Sequence, residues 1–192
     1  YKTKDFESVE FIDCIALAHN RVPCLFPEKI GGYYWKIDRP SIGKPPDNPG
    51  DMWISRSPDL IHWGHYRHLV GRFAKWGSHK IGPTPPIKTE AGWLEIIHGV
   101  SRSCSTTRYS LGAVLLDLED PEKVIGRMAS YLITPEVDYE FQGRTPDVIF
   151  SCGAIADMEE RRLRVYYGGA DTVICLASGD LDAIIDACRK GI

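Results

Sequence analysis

Cysteine is present here but not in the pattern that usually does chemistry. None of Cys14, Cys24, Cys104, Cys152, Cys175 and Cys188 belongs to a C-x-x-C pair, so the commonest thiol spacing for metal or redox work is missing and no metal site is expected. Long apolar runs are also missing: no stretch approaches the roughly 20 residues of a membrane span, and the first residues do not have the layout of a signal peptide. Neither sign of charge dominates. The formal net charge is −3, which supplies no overall attraction to nucleic acid or to an anionic membrane surface. Helical periodicity is scarce as well, and is confined to the end of the chain.

What remains is an ordinary globular balance, 43% hydrophobic and 26% charged over 192 residues, long enough to bury a real core in a single domain spanning 1–192. Most of the cysteines sit inside apolar runs such as "VICLAS" and "VIFSCGA", which reads as buried, reduced thiols in a cytoplasmic protein. The pattern along the chain is that of an all-β fold. Short runs rich in Val, Ile, Tyr and Trp recur at 32–37, 51–56, 92–100, 109–118, 148–157, 162–169 and 172–178, each bounded by Gly, Pro, Asp or Ser. Only 179–191 has apolar residues at helical spacing, Leu181, Ile184, Ile185 and Cys188, with Asp180 placed to cap the start and Gly191 following the end.

The strands repeat as a unit: a Gly or charged turn, an aromatic-rich strand, a loop, a second strand, and an Asp-Leu or Asp-Pro punctuation. Sixty positions separate Gly32 from Gly92 and seventy separate Gly92 from Arg162, a period that suggests stacked four-stranded propeller blades, with a β-sandwich as the alternative. At the start, Thr3-Lys4-Asp5-Phe6 stands as Ser57-Pro58-Asp59-Leu60 stands later. The chain is therefore expected to begin at the end of an earlier blade, as the C-terminal portion of something longer or as one piece that closes its edge with a partner.

Several charged residues lie at the expected strand starts and ends. Arg21 precedes "VPCLFPEKI", Arg39 follows "YYWKID", Lys80 lies in "WGSHKIGPTPP" and His98 ends "WLEIIHGV". Converging at one end of a propeller channel, they would make an anion site, since Arg suits bidentate recognition of phosphate and Lys adds a point charge. Asp171 follows "YYGGA" and abuts the apolar run from Val173, where a carboxylate is expected to be partly desolvated.

The phrases "LFPEKIGGYYWKIDRPS", "DMWISRSPDLIHWG", "KIGPTPPIKTEAGWLEIIHGV", "YSLGAVLLDLEDPEKVIGR" and "YYGGADTVICLAS" resemble the β-1,4-mannoside phosphorylases of glycoside hydrolase family 130, in order from about Arg21 to Ile192. The resemblance implies a five-bladed β-propeller, of which this chain would form about three blades plus the C-terminal helix. It implies phosphorolysis of a β-mannoside to mannose 1-phosphate with inversion, with inorganic phosphate as co-substrate and no other cofactor. It assigns Arg21, Arg39, Lys80 and His98 to phosphate, Asp171 to mannosyl hydroxyls, Tyr109 and Phe150 to the acceptor-sugar side, and Asp51 to a recurrent blade position that could be structural. Phosphate is itself the nucleophile, so of the two carboxylates of an inverting glycosidase only the general acid remains necessary. Two departures stand out. Val22 follows Arg21 where the family often has Asn. The family's acid belongs to a Glu-Asp-Pro-Arg phrase in an early blade, whereas "EDPEK" here falls in a blade-exit turn, so Asp120 is read as a turn residue and the acid is expected upstream of Tyr1. The expected partners are a β-mannoside and phosphate, with a homo-oligomer or a complementing N-terminal portion supplying the rest. The competing functions are a non-catalytic carbohydrate-binding remnant and a β-mannoside hydrolase relative.

Overall fold

The computed structural model describes residues 1–41, 50–104 and 106–191. Three antiparallel sheets follow one another along the chain. The first has the order β1 (Asn20–Leu25), β2 (Tyr34–Pro40), β3 (Met52–Ser57), β4 (Gly64–Val70). The second has the order β5 (Lys80–Gly82), β7 (Gly92–Arg102), β8 (Thr107–Leu116), β9 (Val124–Arg127), with β6 (Ile87–Thr89) also paired to β7. A single helical turn, α1 (Asp138–Phe141), leads to the third, β10 (Ile149–Asp157), β11 (Arg162–Gly169), β12 (Val173–Asp180), and the helix α2 (Leu181–Lys190) closes the chain. The fold is thus all-β with a C-terminal helix, as the sequence pattern anticipates.

The second sheet is the middle layer. Strand alternation sends Trp93 and Ile97 of β7, with Val114 and Leu116 of β8, against Trp35, Ile37, Met52 and Ile54 of the first sheet. The same two strands send Leu94, Ile96, Leu111 and Leu115 the other way, against Ile149, Leu163 and Val165 of the third sheet and against α2. A strand covered on both faces shows no polar alternation, hence the unbroken apolar run around Trp93–Ile97. Parallel bridges stitch the sheets together, Gly50 to Lys80 and Tyr109 to Val148. The helix buries the expected stripe, Leu181, Ile184, Ile185 and Cys188, and the Asp180 carboxylate caps it by accepting from the Ala183 amide at 2.7 Å.

The repeat is visible in its turns. Asp5, Asp59, Asp117 and Asp157 each accept hydrogen bonds from the amides two and three residues ahead. Phe6 and Leu60 both take left-handed φ values, 62° and 71°, and the amide of each donates to the hydroxyl three residues back, Thr3 or Ser57. The correspondence between the first residues and 57–60 is therefore one of backbone geometry as well as letters.

Two expectations need correction. All six thiols are free, but only Cys24 and Cys188 are buried; Cys14, Cys104 and Cys152 are exposed. Cys152 faces outward by the alternation of β10, one position after the buried Ile149 and Ser151 side of the strand. His98 does not end its strand: β7 continues four residues further, to Arg102.

Candidate functional site

Where the three sheets meet, six of the eight residues singled out from the sequence come together. Arg39, on β2, is 6% exposed, and its Cα partner across the ladder is Arg21 of β1. The Nη1 of Arg39 lies 2.7 Å from Nε2 of His98 and donates to the Ile81 carbonyl at 3.4 Å. His98 is fully buried in the middle of β7, with the Phe150 ring of β10 at 4.6 Å between centroids and the Tyr109 ring of β8 stacked at 6.2 Å. Lys80 opens β5 with its Nζ 5.4 Å from the centre of the Tyr109 ring, a cation–π contact.

Two glycines make this approach possible. A Cβ on Gly82 would stand 2.3 Å from Cε1 of His98, 2.6 Å from its Nε2 and 2.9 Å from Nη1 of Arg39, and one on Gly50 would stand 2.6 Å from Cδ of Arg39. Neither glycine is singled out in the sequence; Gly82 lies in "WGSHKIGPTPP" beside Lys80, and a glycine within a short strand, where another group approaches closely, is the one signal that could have marked it.

The electrostatics of the cluster are one-sided. Burial holds the Arg39 guanidinium below its usual pKa, the charge of Arg21 adds to this, and Tyr109 opposes it. Burial, then the charges of Arg39 and Lys80, push His98 well below the ordinary imidazole value, so the ring is neutral. Among the described residues no carboxylate forms a salt bridge with Arg21, Arg39 or Lys80. Cations brought together without counter-charges are suited to receive an oxyanion.

A cleft of about 290 Å³ adjoins the cluster, with Lys80, Tyr109, Thr145 and Val148 in its lining. Thr145 connects it to Asp171, whose carboxylate accepts from the Thr145 hydroxyl at 2.6 Å. Asp171 is not desolvated as the sequence suggests. It is exposed at the tip of the β11–β12 hairpin, where Ala170 and Asp171 have φ of 46° and 52°, the left-handed pair of a tight hairpin turn. The segment before β10 clamps this tip: the Thr145 amide donates to the Ala170 carbonyl and the Ala170 amide to the Val148 carbonyl. The role of Thr145 escaped the sequence reading because it depends on a contact across the sheet.

Asp51 stands apart from the cluster. It accepts from His68 Nε2 at 3.1 Å, from the Arg72 amide at 3.1 Å and from Arg72 Nε at 2.9 Å. Partial burial raises its pKa, but these bonds outweigh that and leave it below the usual carboxylate value. Asp120 lies exposed in the turn after β8, its amide donating to Asp117 and its own carboxylate accepting from the Glu122 amide. No group of three or more His, Cys, Asp or Glu among the described residues is placed to hold a metal ion, and no described helix is long and apolar enough to cross a membrane.

The β-1,4-mannooligosaccharide phosphorylase family matches residues 3–190. The chain belongs to glycoside hydrolase family 130. Within that family it is 42% identical over 190 residues to the β-1,4-mannooligosaccharide phosphorylase of Ruminococcus albus, covering 98% of this chain and 56% of that protein. It is 45% identical over 172 residues to the β-1,2-mannobiose phosphorylase of Listeria innocua, covering 88% of this chain and 46% of that protein. The solved structure of the Listeria innocua β-1,2-mannobiose phosphorylase in complex with β-1,2-mannobiose superposes with a TM-score of 0.88 at 39% identity, over 98% of this chain and 52% of that one. The chain thus spans about half the length of the family 130 relatives it matches.

Proposed function

We propose that these residues form the phosphate side of a β-mannoside phosphorylase. Arg39, Lys80, His98 and Arg21 hold inorganic phosphate, and the carboxylate of Asp171, steadied by Thr145, accepts from hydroxyls of the mannosyl unit. Tyr109 and Phe150 line the approach of the acceptor sugar. A phosphate oxygen attacks the anomeric carbon, the glycosidic C–O bond breaks, and the departing sugar oxygen takes a proton from a general acid. Asp171 is committed to the mannosyl hydroxyls, and no other carboxylic acid is gathered there among the described residues, so we assign that acid to a complementing portion of the kind the relatives' greater length contains. The three sheets are then successive blades of a five-bladed propeller. Because the relatives act on both β-1,4 and β-1,2 linkages, the substrate class is given as β-mannoside.

The observation that carries this reading is the convergence of Arg39, His98 and Lys80 on one junction with no salt-bridged carboxylate among the described residues. Calorimetry tests it: inorganic phosphate should bind this chain, and bind at least tenfold more weakly to Lys80→Ala; absence of phosphate binding overturns the reading. Given phosphate and either β-1,4- or β-1,2-mannobiose, the chain with no other protein should form no measurable mannose 1-phosphate. Turnover at an ordinary enzymatic rate, about 1–10³ s⁻¹, would show that the acid lies within it.

A further inference from the structure

The contact between Arg39 and His98 fixes where the imidazole keeps its proton. A guanidinium has five N–H donors and no acceptor, so His98 Nε2, 2.7 Å from Arg39 Nη1, can only be accepting. The neutral ring therefore carries its hydrogen on Nδ1, which is buried without a partner in the described structure. The other tautomer, like the imidazolium, would set donor against donor. The cations around the ring, Arg39 on β2 with Arg21 of β1 beside it and Lys80 on β5, disfavour the imidazolium, and Tyr109 on β8 is the other titratable group that faces it. Phe150 on β10 covers the ring with an apolar face.

We propose, resting on the phosphate reading above, that His98 makes the site selective for a tetrahedral oxyanion that carries its own proton, hydrogen phosphate, over sulfate. An anion entering the cluster takes the Arg39 N–H bonds onto its oxygens. That leaves the Nε2 lone pair without a donor, beside Gly82, whose missing Cβ lets the His98 ring and Arg39 sit where they do. Hydrogen phosphate fills the vacancy with its P–O–H, and the exchange conserves hydrogen bonds. Sulfate has the same double charge near neutrality but no hydrogen, so it sets an oxygen lone pair against the nitrogen lone pair. Burial and the neighbouring cations keep the ring from protonating to relieve this. A buried acceptor left unpaired weakens binding by about tenfold to a hundredfold.

The test titrates this chain calorimetrically with inorganic phosphate and with sulfate, at matched ionic strength and pH 7.5. Phosphate should bind at least tenfold more tightly, and His98→Gln, whose amide can turn an N–H toward either anion, should bring the two affinities together. Should that variant fail to fold, nitrogen-15 NMR of the wild-type imidazole decides, with Nε2 expected to be unprotonated before the anion is added. Equal affinities in the wild type, or a proton on Nε2, overturn the selectivity and leave the phosphate site standing. Binding of neither anion overturns the site itself and the selectivity with it.

Discussion

Strand β7 carries two fully buried ionisable groups three residues apart, Glu95 and His98, and they differ in everything except burial. His98 has Arg39 on its Nε2 and aromatic rings of two other strands against it. Glu95 points to the opposite side of the strand, and neither of its carboxyl oxygens has a hydrogen-bond partner. Burial raises the Glu95 pKa well above its ordinary value, and the Glu95 charge in turn helps push the nearby Cys24 thiol up to about 12, after burial itself. Desolvation disfavours the charged form of both groups, so a pKa shifted by burial does not by itself mark a site. What separates the two is convergence: residues from three sheets meet at His98, and none supplies a hydrogen bond at Glu95.

The most damaging change should be Gly82→Ala. The added methyl would occupy the space of Nε2 and Nη1, and the His98 ring cannot retreat because Phe150 packs against it. Phosphate affinity should fall a hundredfold or more, with a stability loss of about 1–3 kcal/mol from overpacking. Titration calorimetry and thermal unfolding read the two effects separately, and unchanged phosphate affinity would break the assignment of this junction as the anion site.

The reverse experiment removes the isolated partner of the comparison. Glu95→Leu replaces an unbonded buried carboxyl with a side chain suited to the surrounding core, and should stabilise the fold by about 1–3 kcal/mol at neutral pH. Its pH signature is distinctive. The folded-state pKa of Glu95 lies above the ordinary 4.5, so its contribution is full below that value and declines as pH rises through the raised pKa, by about 1.4 kcal/mol per unit. His98 works in the opposite direction. Its folded-state pKa lies below the ordinary 6.5, so its contribution is present above that value and is lost as pH falls. Urea unfolding across pH 5–8 should show the decline on the alkaline side flattening in Glu95→Leu, while the loss on the acid side persists.

This asymmetry also explains how much could be read from the sequence. The strands that became β2, β3, β7, β8, β10, β11 and β12 announce themselves by Val, Ile, Tyr and Trp, and α2 by its spacing and cap. β4 does not, because "GHYRHLV" is polar over most of its length and is defined by pairing with β3. β1 hides because Pro23 and a shifted register interrupt it. Among the site residues, the cations were legible as charges in apolar or Gly-rich settings. Asp171 was legible as a position but not as an environment, since the run after it lies on an open strand with Ile174 91% exposed. Glu95 stood inside "WLEII", and nothing in that string says that its carboxyl would find no partner.

A smaller effect is expected at the bulge that sets Arg21 against Arg39. The register slips between Arg21 and Cys24, and Val22 is forced to a φ of 47°, a conformation strained for a β-branched residue. Asn tolerates it, so Val22→Asn should raise stability by about 1 kcal/mol, measured by thermal unfolding, and leave phosphate affinity no weaker. A loss of phosphate affinity would mean that the strain itself holds Arg21 in place.

The smallest effect should come from Asp51, the singled-out residue that lies outside the junction. Its bonds to His68 and Arg72 tie β4 and the turn after it to the start of β3, but His68 and Arg72 are both exposed, where water competes for every one of them. Asp51→Asn keeps the shape and removes the charge, and should cost less than about 1 kcal/mol. Because the folded-state pKa lies below the ordinary 3.8, the Asp51 contribution is present above that value and disappears as pH falls through the lowered one. Wild type and variant should therefore differ slightly at pH 7 and converge in acid. Phosphate affinity should be unchanged, because the hydrogen bonds of Asp51 run to His68 and Arg72 and not to Arg39, Lys80 or His98. A drop comparable to that of Gly82→Ala would join this exposed network to the anion site and undo the separation between the two regions.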